Sequence, residues 1–163
     1  MTINLYEDKA KLYTFLSKHN IGVLSTATKD GQPHAATIYF IIDPDLNVYF
    51  ITKEKTAKFI NLTDNPQGAL AVYEAQTQTT AQISGDVIEV KSVSRLDEVF
   101  RKILAITAKT SESTIPPVSK LQSGGYRCFS LQPKVVRLAE YLKPEHHELD
   151  DLFQTVVRPD SEL

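Results

Sequence analysis

Apolar and polar side chains alternate in three short runs near the start of the chain: IGVLSTAT, PHAATIYFII and VYFIT. A period of two in segments rich in β-branched and aromatic residues predicts strands with one buried face. The first separator, Lys29-Asp30-Gly31-Gln32, carries the Asp-Gly pair that tight hairpins favour. The second, Asp43-Pro44-Asp45-Leu46-Asn47, is also turn chemistry. Strands joined this tightly make an antiparallel meander, not a parallel sheet with helical crossovers. Further strands are expected at 68–74 and 81–90, with Gly85 marking a bulge or kink in the latter. Two closing strands are expected at 126–131 and 134–141, divided by Gln132-Pro133.

Three segments have a helical period instead. In residues 5–19, Leu5, Leu12, Phe15 and Leu16 share a face while Lys9, Lys11 and Lys18 point away, and Asn20 suits a left-handed stop. A short helix at about 56–63 is stopped by Asn65-Pro66. The clearest helix is 92–109, with Leu96, Phe100, Ile103, Leu104 and Thr107 on one face and Ser94 with Asp97 as a capping pair. Residues 110–125 read as a polar connector, and the tail after Pro144 as a short acidic helix. About seven short strands with hairpin connections predict a mainly β, α+β fold. Its form is a small closed or half-closed barrel with helices over its ends, since closure removes exposed strand edges. No linker or repeat divides the chain, so one domain is expected over 1–163, with a core at about 5–141 and a tail at 142–163.

Composition narrows the function classes. The chain has 163 residues, 42% of them hydrophobic and 23% charged, which is enough for a buried core. A net charge of −2 offers no global field for nucleic acid or an anionic membrane. No apolar run reaches the ~18 residues of a membrane-spanning helix. The first residues, MTINLYEDKAKLY, are charged where a secretory leader is apolar, so the expected location is the cytoplasm. The single cysteine, Cys128, excludes an internal disulfide and reads as a core residue of a strand.

Candidate chemistry concentrates in VYFITKEKTAKFINLTDNP. There a strand ends at Thr52, a short charged loop follows, and Thr56-Ala57-Lys58 opens a helix. Such a corner offers backbone N–H groups, hydroxyls and a lysine to an anion such as phosphate. Thr56 is also an ordinary N-cap, and the two roles are compatible. A lysine in the first turn opposes the usual preference for acids there, which favours the anion reading over a merely solvated side chain. His34 reads as an ordinary strand histidine rather than a ligand. Glu145-His146-His147-Glu148 with Asp150-Asp151 matches no zinc spacing, so no metal site is expected. No catalytic triad, P-loop or dinucleotide-binding glycine motif is present.

Three motifs together resemble the flavin-binding split barrels related to pyridoxamine 5′-phosphate oxidase. They are GVLSTATKDGQPHAATIYF, VYFITKEKTAKFINLTDNP and GGYRCFSLQP, and the likeness covers roughly residues 5–141. The resemblance implies a six- to seven-stranded antiparallel split β-barrel with flanking helices. It also implies FMN at a homodimer interface. Thr52, Thr56 and Lys58 would then be phosphate ligands, with Ile51 and Ala57 beside them. Ala36, Thr37, Ile38 and Tyr39 would lie along the flavin ring, and Thr80 would fall where the oxidases often carry a glutamine that touches it. The sequence departs from the oxidases at Ala57, where an arginine is usual, and in the Ala-Ala-Thr-Ile-Tyr-Phe run, which replaces a basic and aliphatic one. The tryptophan-containing C-terminal oxidase signature is absent, and the chain has no Trp. The resemblance therefore points to the short, general-stress-type or uncharacterised branch, not to pyridoxamine phosphate oxidase itself. Two functions follow from it: a flavin-dependent oxidoreductase acting on a small molecule, or a non-enzymatic flavin carrier or stress-related sensor. A third keeps the fold but uses deazaflavin or haem, with His34, His146 or His147 as axial candidates for haem.

Overall fold

The structure is a computed structural model that describes residues 5–110, 125–142 and 153–157. Its elements run in the order α1 (Leu5–Lys18), β1 (Ile21–Ala27), β2 (Pro33–Ile42), β3 (Val48–Lys53), α2 (Ala57–Asp64), β4 (Gln67–Glu74), β5 (Thr79–Glu89), α3 (Val93–Thr110), β6 (Tyr126–Glu140) and β7 (Gln154–Val157). The strands are ordered β3-β2-β1-β4-β5-β6-β7, and β3 also pairs with β6. Six antiparallel strands thus close into a barrel, with β7 beyond the seam, and three helices flank it. This is the mainly β barrel that the alternation and turn chemistry predict, in the split form that the resemblance implies.

The local reasons are legible. In the β1–β2 turn, Gly31 adopts φ +91°, which a side chain would strain, and Thr28 N donates to Gln32 O at 2.9 Å. Along β1, Gly22, Leu24 and Thr26 turn inward while Ile21, Val23 and Ser25 face out. The barrel is filled by Phe40, Phe50, Leu24, Leu70, Ile83 and Leu131, and α1 adds Leu12 and Leu16 at one end. Each such side chain contributes about 1.5–3 kcal/mol on burial. A second cluster lies outside the barrel wall, where α3 packs Val99 and Ile103 on Ile41 and Cys128. Cys128 is the buried core residue its strand position predicts, and burial pushes its thiol up to about 11.

Several expectations are corrected. The two closing strands are one, β6, which runs through Pro133. A register shift between Ser84 and Gly85 on β5 accommodates the proline, which pairs opposite Gly85. The backbones meet so closely there that a Cβ on Gly85 would lie 1.9 Å from Gln132 O. Asn20 is not left-handed; its amide donates to Phe40 O, and its own carbonyl accepts from Phe40 N. The α3 cap is Ser92, whose Oγ accepts from Arg95 N at 3.4 Å, rather than Ser94. Part of the tail forms β7, paired with Val135–Leu138, and the expected acidic helix with Glu145, His146 and His147 lies outside the described residues. So does most of the 110–125 connector. Among the described residues, no helix is long and apolar enough to cross a membrane, and no cluster of His, Cys, Asp and Glu could hold a metal.

Candidate functional site

The barrel is closed unevenly. β2 pairs with β1 along Pro33 to Tyr39 but with β3 only from Phe40 to Ile42, opposite Val48 to Phe50. On its other edge β3 pairs with β6 throughout, from Val48 opposite Leu131 to Lys53 opposite Tyr126, so beyond Phe50 it keeps β6 alone. The two strands therefore part, and no other described strand pairs with β2 on that side. Phe40 N donates to Asn20 O, so the even residues of β2 turn their backbone groups toward β1. By alternation Ala35 and Thr37 turn theirs into the split, whereas the Tyr39 carbonyl, flanking the Phe40–Phe50 pair, belongs to the β3 ladder.

Helix α2 begins at this split. Lys55, at φ +70°, makes the sharp turn out of β3, and Thr56 caps the helix. Thr56 Oγ1 donates to Lys53 O (2.9 Å) and accepts from Phe59 N (3.3 Å). Its only proton being used, the 2.9 Å contact with Thr52 Oγ1 must have Thr52 as donor. Both hydroxyl protons are therefore spent within the corner. Ready for an anion are the N–H groups of Ala57 and Lys58, which have no intrahelical acceptor, and the Lys58 ammonium. Lys58 is half-buried, with no hydrogen bond or ion pair among the described residues, and its desolvation pushes its pKa below the usual lysine value. No acidic residue offsets it in the first turn of α2.

The corner thus brings together Thr52, Thr56, Ala57 and Lys58 of the sequence-derived candidates. Ala36 and Ile38 face the barrel interior on β2, Thr37 is exposed, and Tyr39 packs against the α3 cluster. Ile51 lies on the opposite face of β3 from Thr52, also in that cluster. Thr80 is not part of the corner. It sits on β5 between Tyr73 and Ala139, three strands from β2.

Sequence reasoning missed a polar cluster beneath the corner. Asn61, only 3% exposed, directs Nδ2 at Thr26 Oγ1 (3.0 Å) and His34 Nδ1 (2.9 Å). The available signal was a polar residue inside the apolar FINL stripe of α2. The salt links of Arg127 to Glu54 (2.6 Å) and Glu89 (3.5 Å) were likewise not foreseen. Beside them a cleft of about 710 Å³ opens between Phe59 and Thr63 of α2, Leu96 of α3, and Glu89, Arg127 and Cys128. Tyr126 is half-buried, with the Lys53 ammonium 5.3 Å from its ring centre.

The outer face of β2-β1-β4-β5 carries small or apolar side chains: Ala35, Val23, Ala69 and Ala71, with Ile21 and Tyr73 also exposed. A depression of about 300 Å³ on it is lined by Ser25, Gln82, Ser84 and Arg137 among others.

Comparison with known proteins follows the same lines. The family model for pyridoxamine 5′-phosphate oxidase matches residues 9–138. A pyridoxine/pyridoxamine 5′-phosphate oxidase of Trichormus variabilis is 33% identical over 85 residues, 52% of this chain and 39% of that protein. The chain thus spans about two fifths of the length of that curated relative. Among solved structures, a pyridoxamine 5′-phosphate oxidase-related, FMN binding protein of Nostoc punctiforme superposes with a TM-score of 0.59 at 14% identity, covering 97% of this chain and 99% of the other. HutZ, the haem storage protein of Vibrio cholerae, gives 0.60 at 16% identity, covering 76% and 88%. At these identities the structural matches establish the fold.

Proposed function

The chain belongs to the pyridoxamine 5′-phosphate oxidase family, and from that premise we propose that it binds FMN and acts as a flavin-dependent oxidoreductase on a small molecule. The observation that carries the reading is Lys58, a half-buried ammonium at the positive end of α2 with no counter-charge among the described residues. A desolvated, unpaired charge is costly, and a bound phosphate would offset that cost while accepting the free N–H groups of Ala57 and Lys58. The residues present fit FMN on both counts. The corner takes a phosphate, and the unpaired edge of β2 offers the backbone of Thr37 and the N–H of Tyr39 to the hydrogen-bonding rim of a flavin ring.

When bound, FMN would supply the hydride chemistry. The chain's own part is to hold the phosphate, lay the ring along β2 and screen it from water. The one cysteine stays a buried neutral thiol near neutral pH, which suits a protein whose side chains bind rather than react.

On this reading FMN would lie between two copies of the chain. The small-residue outer face suits a second copy of the chain, since flat patches of this kind are normally covered. Thr80 and the Ala36–Tyr39 strand would then approach one cofactor from different protomers.

The test is an absorbance spectrum of the purified protein before and after adding excess FMN and desalting. Retained flavin bands, followed by bleaching with NADH or NADPH, support the oxidoreductase. Retained bands without turnover with either donor or a dye leave a flavin carrier. A protein that releases FMN overturns the reading, and retention of haem or deazaflavin in the same assay would reassign the ligand.

A further inference from the structure

We propose that His34 is a second side-chain donor to the anion that Lys58 binds, and that Asn61 is the positioning residue that sets which ring nitrogen faces it. The inference rests on reading the start of α2 as an anion site.

Asn61 Nδ2 is a donor only, with two hydrogens. One goes to Thr26 Oγ1, and the other points at His34 Nδ1, which must therefore accept. A neutral imidazole that accepts at Nδ1 carries its proton on Nε2, at the ring edge away from Asn61. His34 is half-buried, so part of its side chain reaches solvent. Lys58 precedes Asn61 by one helical turn, and residues so spaced are neighbours on a helix, about 5–6 Å apart at Cβ. Asn61, and with it the ring it holds, therefore reaches the β1–β2 hairpin from the same side of α2 as the lysine. Ala36, on the same face of β2 as His34, and Ala57, at the first position of α2, have no polar atoms in their side chains. The donor set becomes an ammonium, an imidazole N–H and two backbone N–H groups, which matches the several acceptor oxygens of a phosphate.

The competing role is purely structural, with His34 serving only to accept from Asn61. Two substitutions separate the roles. His34→Asn keeps an acceptor near Nδ1 but removes the distal N–H. His34→Gln returns a donor near the Nε2 position. Each is titrated with FMN, inorganic phosphate and riboflavin, which lacks the phosphate, after thermal unfolding confirms a folded chain. The expected result is that His34→Asn weakens FMN and phosphate about tenfold and leaves riboflavin unchanged, while His34→Gln stays within about threefold of the parent. Unchanged phosphate affinity in His34→Asn, or an equal loss in His34→Gln, overturns the proposal. A parent protein that binds phosphate but not FMN removes the flavin reading and leaves His34 to be judged on phosphate alone. One that binds neither overturns both.

Discussion

At the α1 end of the barrel, Leu12 and Leu16 are wholly buried in the core, and two of the helix's three lysines are matched by carboxylates: Lys9 with Asp45, and Lys11 with Glu140, while Lys18 lies exposed in the last turn. At the α2 end, Thr26, Thr52 and Asn61 are buried instead, and Lys58 is half-buried with no counter-charge among the described residues. One end is an apolar plug with a largely paired rim. The other spends stability on oriented polar groups. A scaffold that is finished at one end can carry strain and unmatched charge at the other, and the unmatched end is where a ligand adds most.

The comparison is broken most severely by Leu16→Ala. It should cost about 2–5 kcal/mol in chemical denaturation, with the folded fraction binding FMN as before. Lost FMN affinity at equal folded fraction would mean the two ends are coupled. Lys58→Ala should do the reverse, weakening FMN by about 1.5–3 kcal/mol in a fluorescence titration while apo stability holds or rises. Its pH dependence sharpens the point. Burial lowers the folded pKa of Lys58 below 10.5, so the unfolded chain binds more protons in that window. Apo stability should therefore gain a component as pH rises through the folded pKa toward 10.5, one that Lys58→Met lacks. The difference between the two melting curves measures it, and a difference that does not change with pH would mean Lys58 is already paired. Thr52→Val, which removes the hydroxyl bond to Thr56, should weaken FMN by only about 0.5–1.5 kcal/mol and leave the fold intact.

The smallest effect belongs to the finished end. There Glu74 accepts from Gln76 N, Thr77 N and Thr77 Oγ1, bonds led by the Thr77 hydroxyl that hold its carboxyl down at about 2 rather than 4.5. A depressed carboxylate stabilises above its unfolded pKa and loses that contribution as pH falls from about 4.5 toward 2. Glu74→Gln should flatten this part of the acid-unfolding curve without touching ligand affinity, and an unaltered curve would show that the turn folds without the carboxylate.

Much of this architecture was legible because period-two alternation and Asp-Gly turns are local signals. The corner at Thr52, Thr56 and Lys58 was legible for the same reason, as it lies within seven consecutive residues. What escaped depended on partners far along the chain. Gln132-Pro133 reads as a break because proline cannot donate to a ladder, and only the shifted register at Gly85 keeps β6 continuous. Ser92 and Ser94 both suit a cap, and the choice between them follows from where α3 starts. Asn61 meets His34 and Thr26 only once α2 has folded over the β1–β2 hairpin, so no local pattern announces the contact.

The β3–β6 seam has a consequence for how the molecule assembles. It joins Thr52 to Arg127, residues far apart in the chain, whereas the β1–β2 hairpin closes over a few residues. Such long-range pairings close late and slowly, so the seam is expected among the last events on the folding path. Thr52 is part of it. A nascent chain would therefore acquire its hairpins before its anion corner, and ligand present during refolding would act on the final docking step rather than guide the first ones.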